Sequence, residues 1–277
     1  MVATATSVRP MSSGLVVVGG GRMGEALVGG LLAGAWGPAG DLCVVEARPE
    51  RRAELVQRFP GVAVEPAPVA ADGVVLAVKP GDIAATAAAV AAAGYRRALS
   101  IAAGVTLATL ESALDAEAGR RPVVRAMPNT PALVGAGAAA LSGGSFAGED
   151  DLAWAEGVLG ALGSVVRVPE HLLDAVTGLS GSGPAYVFLL AEAFIDAGVL
   201  VGLPAEVSTE LAIQTLLGAA RLLAETGEAP ASLRAAVTSP GGTTAAGLRA
   251  LEAAGVRSAV LEAVAAATER SRQLGQG

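Results

Sequence analysis

The chain has 277 residues, a formal net charge of −7, and 52 % hydrophobic but only 3 % aromatic residues. The acidic balance excludes an extended nucleic-acid surface, and the single cysteine, Cys43, excludes an internal disulfide and indicates a reducing cytosol. A core of Ala, Val and Leu in a chain of this length suits one or two domains of helices and buried parallel strands.

In the first half, short apolar runs alternate with helical segments, after a polar opening stretch (Met1 to Ser13) without the apolar core of a signal peptide. This alternation predicts a Rossmann-like, doubly wound parallel sheet over residues 14–169, a dinucleotide-binding domain. The predicted strands are 15–18, 42–45, 62–64, 73–78, 98–102, 122–126, 137–141 and 164–168. The predicted helices lie between them, one ending near residue 35 and the others at 49–58, 83–93, 106–114 and 150–162.

The strand pattern stops near residue 169, which predicts an all-helical substrate-binding and dimerisation domain over residues 170–277. The run Ala185–Leu203 is apolar nearly all round and requires burial on every side, so we expect a homodimer. Glu192 and Asp196 within this run argue against a membrane span, so neither a membrane nor a nucleic acid is expected as a partner. The predicted helices are 172–176, 185–202, 205–225, 231–237, 245–254 and 257–274.

The run Gly19-x-Gly21-x-x-Gly24 follows a predicted strand and opens a helix, as the dinucleotide-binding motif requires. Gly19 makes the turn, Gly21 lets the pyrophosphate approach, and Gly24 allows close helix–strand packing. Arg22 and Met23 lie in the same turn and belong to the predicted cofactor site.

Residues at the ends of neighbouring strands complete the predicted NADPH or NADH site. Glu46 suits ribose hydroxyls and favours NADH, whereas Arg48 and Arg51 suit a 2′-phosphate, so the preference stays open. The remaining predicted contacts are Ala77, Val78, Lys79 and Pro80 after the fourth strand, Ala102, Ala103 and Gly104 after the fifth, and Asn129 after the sixth.

The stretch Val237–Thr244 reads as a tight turn that opens into a helix. Amides of Gly242, Thr243 and Thr244 would point outward unpaired, a site for a small carboxylate or a phosphate. Three hydroxyls, from Ser239 and the two threonines, surround it. The alternative is a well-capped helix start without a ligand.

The catalytic options are narrow. The one histidine, His171, has no Ser-His-Asp set around it, and spaced metal ligands are lacking, so no metal is predicted. Hydride transfer demands less: a cofactor, an electrophilic carbon and a group that holds the substrate. If that electrophile is a protonated imine, a hydroxyl hydrogen bond suffices.

Several motifs together resemble pyrroline-5-carboxylate reductase. They run in order and spacing from about Leu15 to Leu274: Ala77-Val-Lys-Pro80, Ser100-Ile-Ala-Ala-Gly104, Arg125-Ala-Met-Pro-Asn-Thr-Pro131, Gly178-Leu-Ser-Gly-Ser-Gly-Pro-Ala-Tyr186, Gly202-Leu-Pro204 and Val237-Thr-Ser-Pro-Gly-Gly-Thr-Thr244. The resemblance implies NAD(P)H-dependent reduction of 1-pyrroline-5-carboxylate to L-proline, the last step of proline biosynthesis. It also implies an interlocked helical dimer, often assembled further into a ring of dimers.

By the same resemblance, Thr244 hydrogen-bonds the ring nitrogen, and Ser239 with the amides of Gly242, Thr243 and Thr244 anchors the carboxylate. Ser239 and Thr244 are thus the predicted catalytic residues, and Glu170 falls where some relatives carry an acid near the substrate. The chain departs from the usual pattern at Gly20-Gly21-Arg22 and at Ala235-Ala236.

Two other functions fit parts of the sequence. A dehydrogenase of small hydroxy acids would share the two-domain plan, but it usually carries a lysine on the long helix after the sheet, and Ala185–Leu203 has none. A non-catalytic dinucleotide-binding module would need no acid site.

Overall fold

The computed structural model describes residues 14–34 and 36–275, apart from the side chain of Glu117, and the predicted tail Met1–Ser13 lies outside them. The described chain divides into two compact units. The first ends at Gly181 and includes the chain from Ala267 onward, and the second comprises Ser182–Ala266.

The first unit is built on a sheet that has eight strands within the described residues, in the order β3-β2-β1-β4-β5-β6-β7-β8. β1 lies between β2 and β4, so the sheet changes its winding direction at the end of β1, where open α/β sheets bind ligands. The strands are β1 Leu15–Val18, β2 Leu42–Val45, β3 Ala63–Glu65, β4 Ala71–Leu76, β5 Tyr95–Ser100, β6 Val123–Met127, β7 Gly137–Gly143 and β8 Gly163–Arg167.

The sheet is mostly parallel, but β7 runs antiparallel to β6, and β8 runs parallel to β7. The prediction of a wholly parallel sheet was therefore wrong at this edge. The link between β6 and β7 contains only a short 3-10 turn, Thr130–Val134, and is too short for the crossover that a parallel pair needs.

Helices cover both faces of the sheet, which confirms the doubly wound fold. Alternate residues of β1 enter opposite cores: Val17 packs with Leu27 and Leu55, and Val16 packs on the other face with Ile83. The helices of this unit are α1 Arg22–Ala33, α2 Pro49–Arg58, α3 Ile83–Ala93, α4 Leu107–Ala113, α5 Ala116–Gly119, α6 Glu149–Gly160 and α7 Leu173–Val176.

The second unit is all helical, as predicted. It comprises α8 Gly183–Leu200, α9 Ala205–Thr226, α10 Pro230–Ala236, α11 Thr243–Ala253 and the first part of α12 Val256–Leu274. α8 and α9 pack closely, since Ser208 donates its hydroxyl to the carbonyl of Ile195 at 2.7 Å. No residue of α8 is buried in the chain itself, and Phe188 and Leu189 are 62 % and 66 % exposed.

The two halves were predicted to meet at residue 169, whereas the compact units divide at Gly181. The segment between belongs to the first unit through Asp174, whose carboxylate accepts a hydrogen bond from Ser271 at 2.7 Å. A single π turn, Thr177–Gly181, links α7 to α8. The boundary at 169 was predicted between a cofactor-binding and a substrate-binding domain rather than between compact units, so it stays a prediction.

Candidate active site

The glycine turn after β1 has the geometry that the motif predicts. Gly19 has a φ of +111°, and its amide donates to the carbonyl of Val45 at 2.8 Å. A Cβ on Gly19 would lie 2.4 Å from the carbonyl oxygen of Ala77, and one on Gly24 would lie 2.0 Å from that of Gly19. Both glycines are therefore required by packing within the protein.

Gly21 differs from its neighbours, because a Cβ added there would meet nothing within 4 Å. It precedes α1 as the N-cap, so the first amides of that helix, including those of Arg22 and Met23, lack intrahelical acceptors. The space over Gly21 and the positive end of the helix dipole together fit the pyrophosphate of a dinucleotide.

A cleft of about 730 Å³ opens at this point of the sheet. It extends from the glycine turn across the ends of β2 and β4. Seven predicted cofactor residues line it: Gly19, Gly21, Glu46, Arg48, Ala77, Val78 and Lys79.

Glu46 is the acid at the end of β2 and is only 8 % exposed. Its Oε1 accepts from the amide and from Nε of Arg48, at 3.0 and 3.1 Å. Burial alone raises the pKa of Glu46, but the hydrogen bonds and the charge of Arg48 outweigh burial and hold that pKa below its ordinary value. The carboxylate is therefore ionised at neutral pH.

The other arginines after β2 are used by the protein. Arg51 donates from Nε to the carbonyl of Gly20 at 2.8 Å and pairs with Glu25 and Glu54. Arg52 donates to the carbonyls at 46 and 47, at 3.0 and 2.7 Å. Arg22 is exposed in the glycine turn, outside the residues that line the cleft.

Other predicted cofactor residues lie beyond the lining of the cleft. Met23 packs against the core, Gly24 is buried under the turn, and Pro80 begins a short 3-10 turn. After β5, Ala102 is 3 % exposed, while Ala103 is exposed and Gly104 is partly exposed. Their contacts with a cofactor stay predictions.

Asn129 was predicted to offer its amide to a ligand, and the structure uses that side chain within the fold. Nδ2 donates to the carbonyl of Ser180 at 3.1 Å, and Oδ1 accepts from the amide of Ala138 at 2.8 Å. The residue thereby joins the end of β6, the start of β7 and the π turn. The nearby Gly181 packs so closely that an added Cβ would lie 2.8 Å from Cε of Met127.

The predicted acid-binding stretch forms a type II turn at the start of α11. Gly241, with a φ of +71°, follows Pro240, and the amide of Gly242 donates to the carbonyl of Ser239 at 3.0 Å. The expectation that the Gly242 amide is unpaired was therefore wrong, because the turn itself consumes this donor.

The remaining donors match the prediction. Among the described residues, the amides of Thr243 and Thr244 have no hydrogen-bond partner, and both residues are exposed at the first turn of α11. Ser239 is exposed beside them. We call Ser239, Thr243 and Thr244, with these two amides, the acid cradle.

Glu170 lies in the first unit and is bound to protein groups. Its Oε1 accepts from the amide of Leu107 at 2.6 Å and from Arg125 at 2.9 Å, so it joins the start of α4 to β6. Its predicted role in substrate binding stays a prediction. His171, beside it, is exposed.

Sequence reasoning missed the far wall of the cleft, formed by the loop after β3 and one face of α3. The Pro-x-Pro of that loop was the available signal, whereas the Ala-rich face of α3 carried none. These lining residues are Pro66, Pro68, Asp82, Ala85, Thr86 and Ala89. Within 14–34 and 36–275, no group of three His, Cys, Asp or Glu side chains is arranged to hold a metal ion.

Comparisons with known proteins find relatives that match nearly the whole chain. The family model for pyrroline-5-carboxylate reductase dimerisation matches residues 170–274, and the model described as NADP oxidoreductase, coenzyme F420-dependent, matches residues 14–104. The pyrroline-5-carboxylate reductase of Synechocystis sp. is 45 % identical, over 96 % of this chain and 100 % of the relative. That of Mycobacterium tuberculosis is also 45 % identical, over 94 % and 96 %.

Solved structures give the same result. The pyrroline-5-carboxylate reductase from Coxiella burnetii has a TM-score of 0.88 and 35 % identity, over 95 % of this chain and 98 % of that one. The Plasmodium falciparum pyrroline carboxylate reductase, with NADP bound, has a TM-score of 0.79 and 28 % identity, over 96 % and 99 %.

The glycine turn, the cleft and the doubly wound sheet define an oxidoreductase that uses a nicotinamide dinucleotide. Within that class, the chain belongs to the pyrroline-5-carboxylate reductase family. The resemblance predicted from the motifs is confirmed, and so are the fold class and the NAD(P)H cofactor.

Proposed function

We propose that this protein reduces 1-pyrroline-5-carboxylate to L-proline, the last step of proline biosynthesis. The acid cradle carries the proposal, since two unpaired amides at a helix N-terminus beside hydroxyl groups suit a small carboxylate substrate. The family membership supports the identity of that substrate.

Different groups of the acid cradle bind different parts of the substrate. The amides of Thr243 and Thr244 and the hydroxyl of Ser239 bind the carboxylate, and the hydroxyl of Thr244 hydrogen-bonds the ring nitrogen. The bound NAD(P)H supplies the hydride that the imine carbon accepts. The ring nitrogen carries the proton, so no strong acid is required and a hydroxyl suffices to orient the C=N bond.

The remaining site assignments belong to the same proposal. Glu170 is assigned to substrate binding by the family resemblance, and Gly242 contributes the turn that shapes the cradle. The dinucleotide is bound by the cleft residues and by Arg22, Met23, Gly24, Pro80, Ala102, Ala103 and Gly104. The division into functional domains at residues 169 and 170 is supported by the dimerisation model, whose match begins at residue 170.

We further propose a homodimer formed through the second unit. The large apolar side chains of α8 that the chain leaves exposed require a partner surface, and the matched model describes dimerisation. A ring of such dimers is the larger assembly that we expect. Sedimentation at micromolar concentration checks both, and a stable monomer would contradict the dimer.

The stretch Glu170–Leu200 contains an 18-residue window with a mean hydropathy of 1.5 and could cross a membrane by length and composition alone. We propose that it packs in a dimer and that the protein acts in the cytoplasm, because Glu192 and Asp196 are exposed on the apolar helix α8. Recovery of the protein with membranes after fractionation would contradict this assignment.

The deciding experiment mixes the purified full-length protein with 1-pyrroline-5-carboxylate and either NADH or NADPH. We expect loss of absorbance of the reduced cofactor and formation of L-proline in equal amounts. A second readout is a rise in melting temperature with L-proline, which a protein that binds only dinucleotides would not show. No turnover with either cofactor would end the proposal.

A further inference from the structure

The end of β2 also determines which dinucleotide this protein prefers. We propose that Glu46 and Arg48 together make the protein prefer NADH to NADPH. This inference rests on the proposed function for its biological meaning, but it concerns the binding of the adenosine ribose alone.

Glu46 retains the capacity to accept a hydrogen bond from a ribose hydroxyl. Its Oε1 already accepts two bonds from Arg48, whereas the contact from the same guanidinium to Oε2 is long, at 3.4 Å. A carboxylate has about four acceptor sites. The amide of Gly20 also hydrogen-bonds this carboxylate. The fourth acceptor site carries only the long contact from Arg48, so it remains for a ribose hydroxyl, and the side chain lines the cleft.

Near the end of β2, a 2′-phosphate would meet arginines that already pair with protein groups. Arg48 is paired with Glu46, Arg51 with Gly20, Glu25 and Glu54, and Arg52 with main-chain carbonyls. A phosphate monoester carries a charge of about −1.5 to −2 at neutral pH and would lie beside an ionised carboxylate. Such like-charge juxtaposition is how proteins reject a wrong partner.

Because of Arg48, binding of NADPH is weakened rather than excluded. Its side chain is 66 % exposed, so the guanidinium can turn from Glu46 to a phosphate at small cost. That movement would leave the carboxylate of Glu46 buried, without its main partner and beside the phosphate. With NADH, by contrast, the pair stays intact and Oε2 gains a donor.

The test measures binding of ADP-ribose and of 2′-phospho-ADP-ribose to the full-length protein by calorimetry. We expect ADP-ribose to bind at least about tenfold more tightly, with the same ratio in kcat/KM for NADH over NADPH. Glu46→Gln keeps an acceptor but removes the charge, so the ratio should fall about tenfold or more. Glu46→Ser should lower the same ratio, and this variant replaces Glu46→Gln in the test if Glu46→Gln fails to fold.

The matched control is Glu50→Gln, which makes the same change in charge on the exposed start of α2 and should leave the ratio unchanged. Glu46→Gln should bind 2′-phospho-ADP-ribose more tightly than the parent protein does. Adding Arg48→Ala should remove most of that gain. Equal affinities in the parent protein, or a ratio that Glu46→Gln does not move, would overturn the inference. Because binding is measured without substrate, it can hold or fail independently of turnover with 1-pyrroline-5-carboxylate.

Discussion

The Nε of Arg51 donates a hydrogen bond to the carbonyl oxygen of Gly20 at 2.8 Å, although the two residues are 31 positions apart. The same guanidinium pairs with Glu25 in the first turn of α1 and is only 20 % exposed. α2 thus holds the peptide that precedes Gly21 and orients the amides that follow it. We infer that Arg51 positions the phosphate-binding turn without touching the substrate.

Arg51→Met should therefore raise KM for the dinucleotide about tenfold and leave kcat nearly unchanged, because about 1.5 kcal/mol of a charge-assisted hydrogen bond is lost. Arg51→Lys should restore part of the affinity. Arg58→Met is the matched control, since Arg58 also pairs with Glu25 but its guanidinium is not among those that hydrogen-bond Gly20. Steady-state kinetics measure both, and an equal rise in KM for the Arg58 variant would refute the positioning role.

Gly21→Ala should separate binding from folding. A Cβ at this position meets no protein atom within 4 Å, so the melting temperature should change little, while the affinity for the dinucleotide falls about tenfold or more. Gly24→Ala should instead destabilise the fold by about 1–3 kcal/mol, because its Cβ would lie 2.0 Å from the carbonyl of Gly19. Thermal unfolding and calorimetry on both variants check this contrast, which would be absent if the space over Gly21 had no ligand.

The acid cradle gives a prediction about a single hydroxyl. Thr244→Val should lower kcat/KM for 1-pyrroline-5-carboxylate on the order of 10²-fold, because the ring nitrogen loses its hydrogen-bond partner. Thr244→Ser should retain most of the activity. Thr226→Val, at the end of α9, is the control, since it removes a hydroxyl that bonds only nearby main-chain groups, the carbonyl of Leu222 and the amide of Glu228. Full activity in Thr244→Val would place the ring nitrogen elsewhere.

Asn129→Leu tests whether this side chain serves the fold or a ligand. It removes the bonds to Ser180 and Ala138, so the free energy of unfolding should fall by about 1–3 kcal/mol, and the affinity for ADP-ribose should hold. Asn129→Asp keeps the acceptor for Ala138 and should lose less. Denaturant titration gives the stability. If the variant bound the dinucleotide more weakly while its free energy of unfolding was unchanged, Asn129 would serve the cofactor, as the sequence predicted.

Cys43 should be unreactive in the native protein. Its side chain is 1 % exposed, and burial, with a smaller contribution from the charge of Glu65, raises the pKa of the thiol to about 11. The reactive thiolate is therefore nearly absent below pH 9 as long as the protein is folded. A thiol reagent should react only after denaturant is added, and rapid reaction of the native protein at pH 8 would contradict the buried position.

Most of the fold could be predicted from periodicity. Apolar runs of three to six residues alternated with helical segments, and the predicted α2 and α3 match the structure to the residue. The strands before Lys79 and Gly104 were placed too late in the chain, because apolar residues continue past the last ladder bond into the loops. The reversal of β7 does not show in the strand's own pattern. The signal was the short link, because residues 127–136 leave no room for the crossover helix that a parallel pair needs.

The site was predictable where a motif determines the backbone, and less so where side chains choose among partners. The glycine turn and the type II turn follow from local residue types. Whether Arg51, Asn129 and Glu170 contact a ligand or the protein depends on groups 31, 51 and 63 positions away, which a local pattern does not reveal.

Different constraints act on the three glycines of the turn, and they determine which position can change first in evolution. Packing keeps Gly19 and Gly24, whatever the protein does, whereas only a bound pyrophosphate keeps position 21 bare. A lineage that lost its redox role while retaining the fold would therefore be free to acquire side chains at position 21 first. That one site can serve as a marker of lost cofactor use when diverged copies of this chain are sorted.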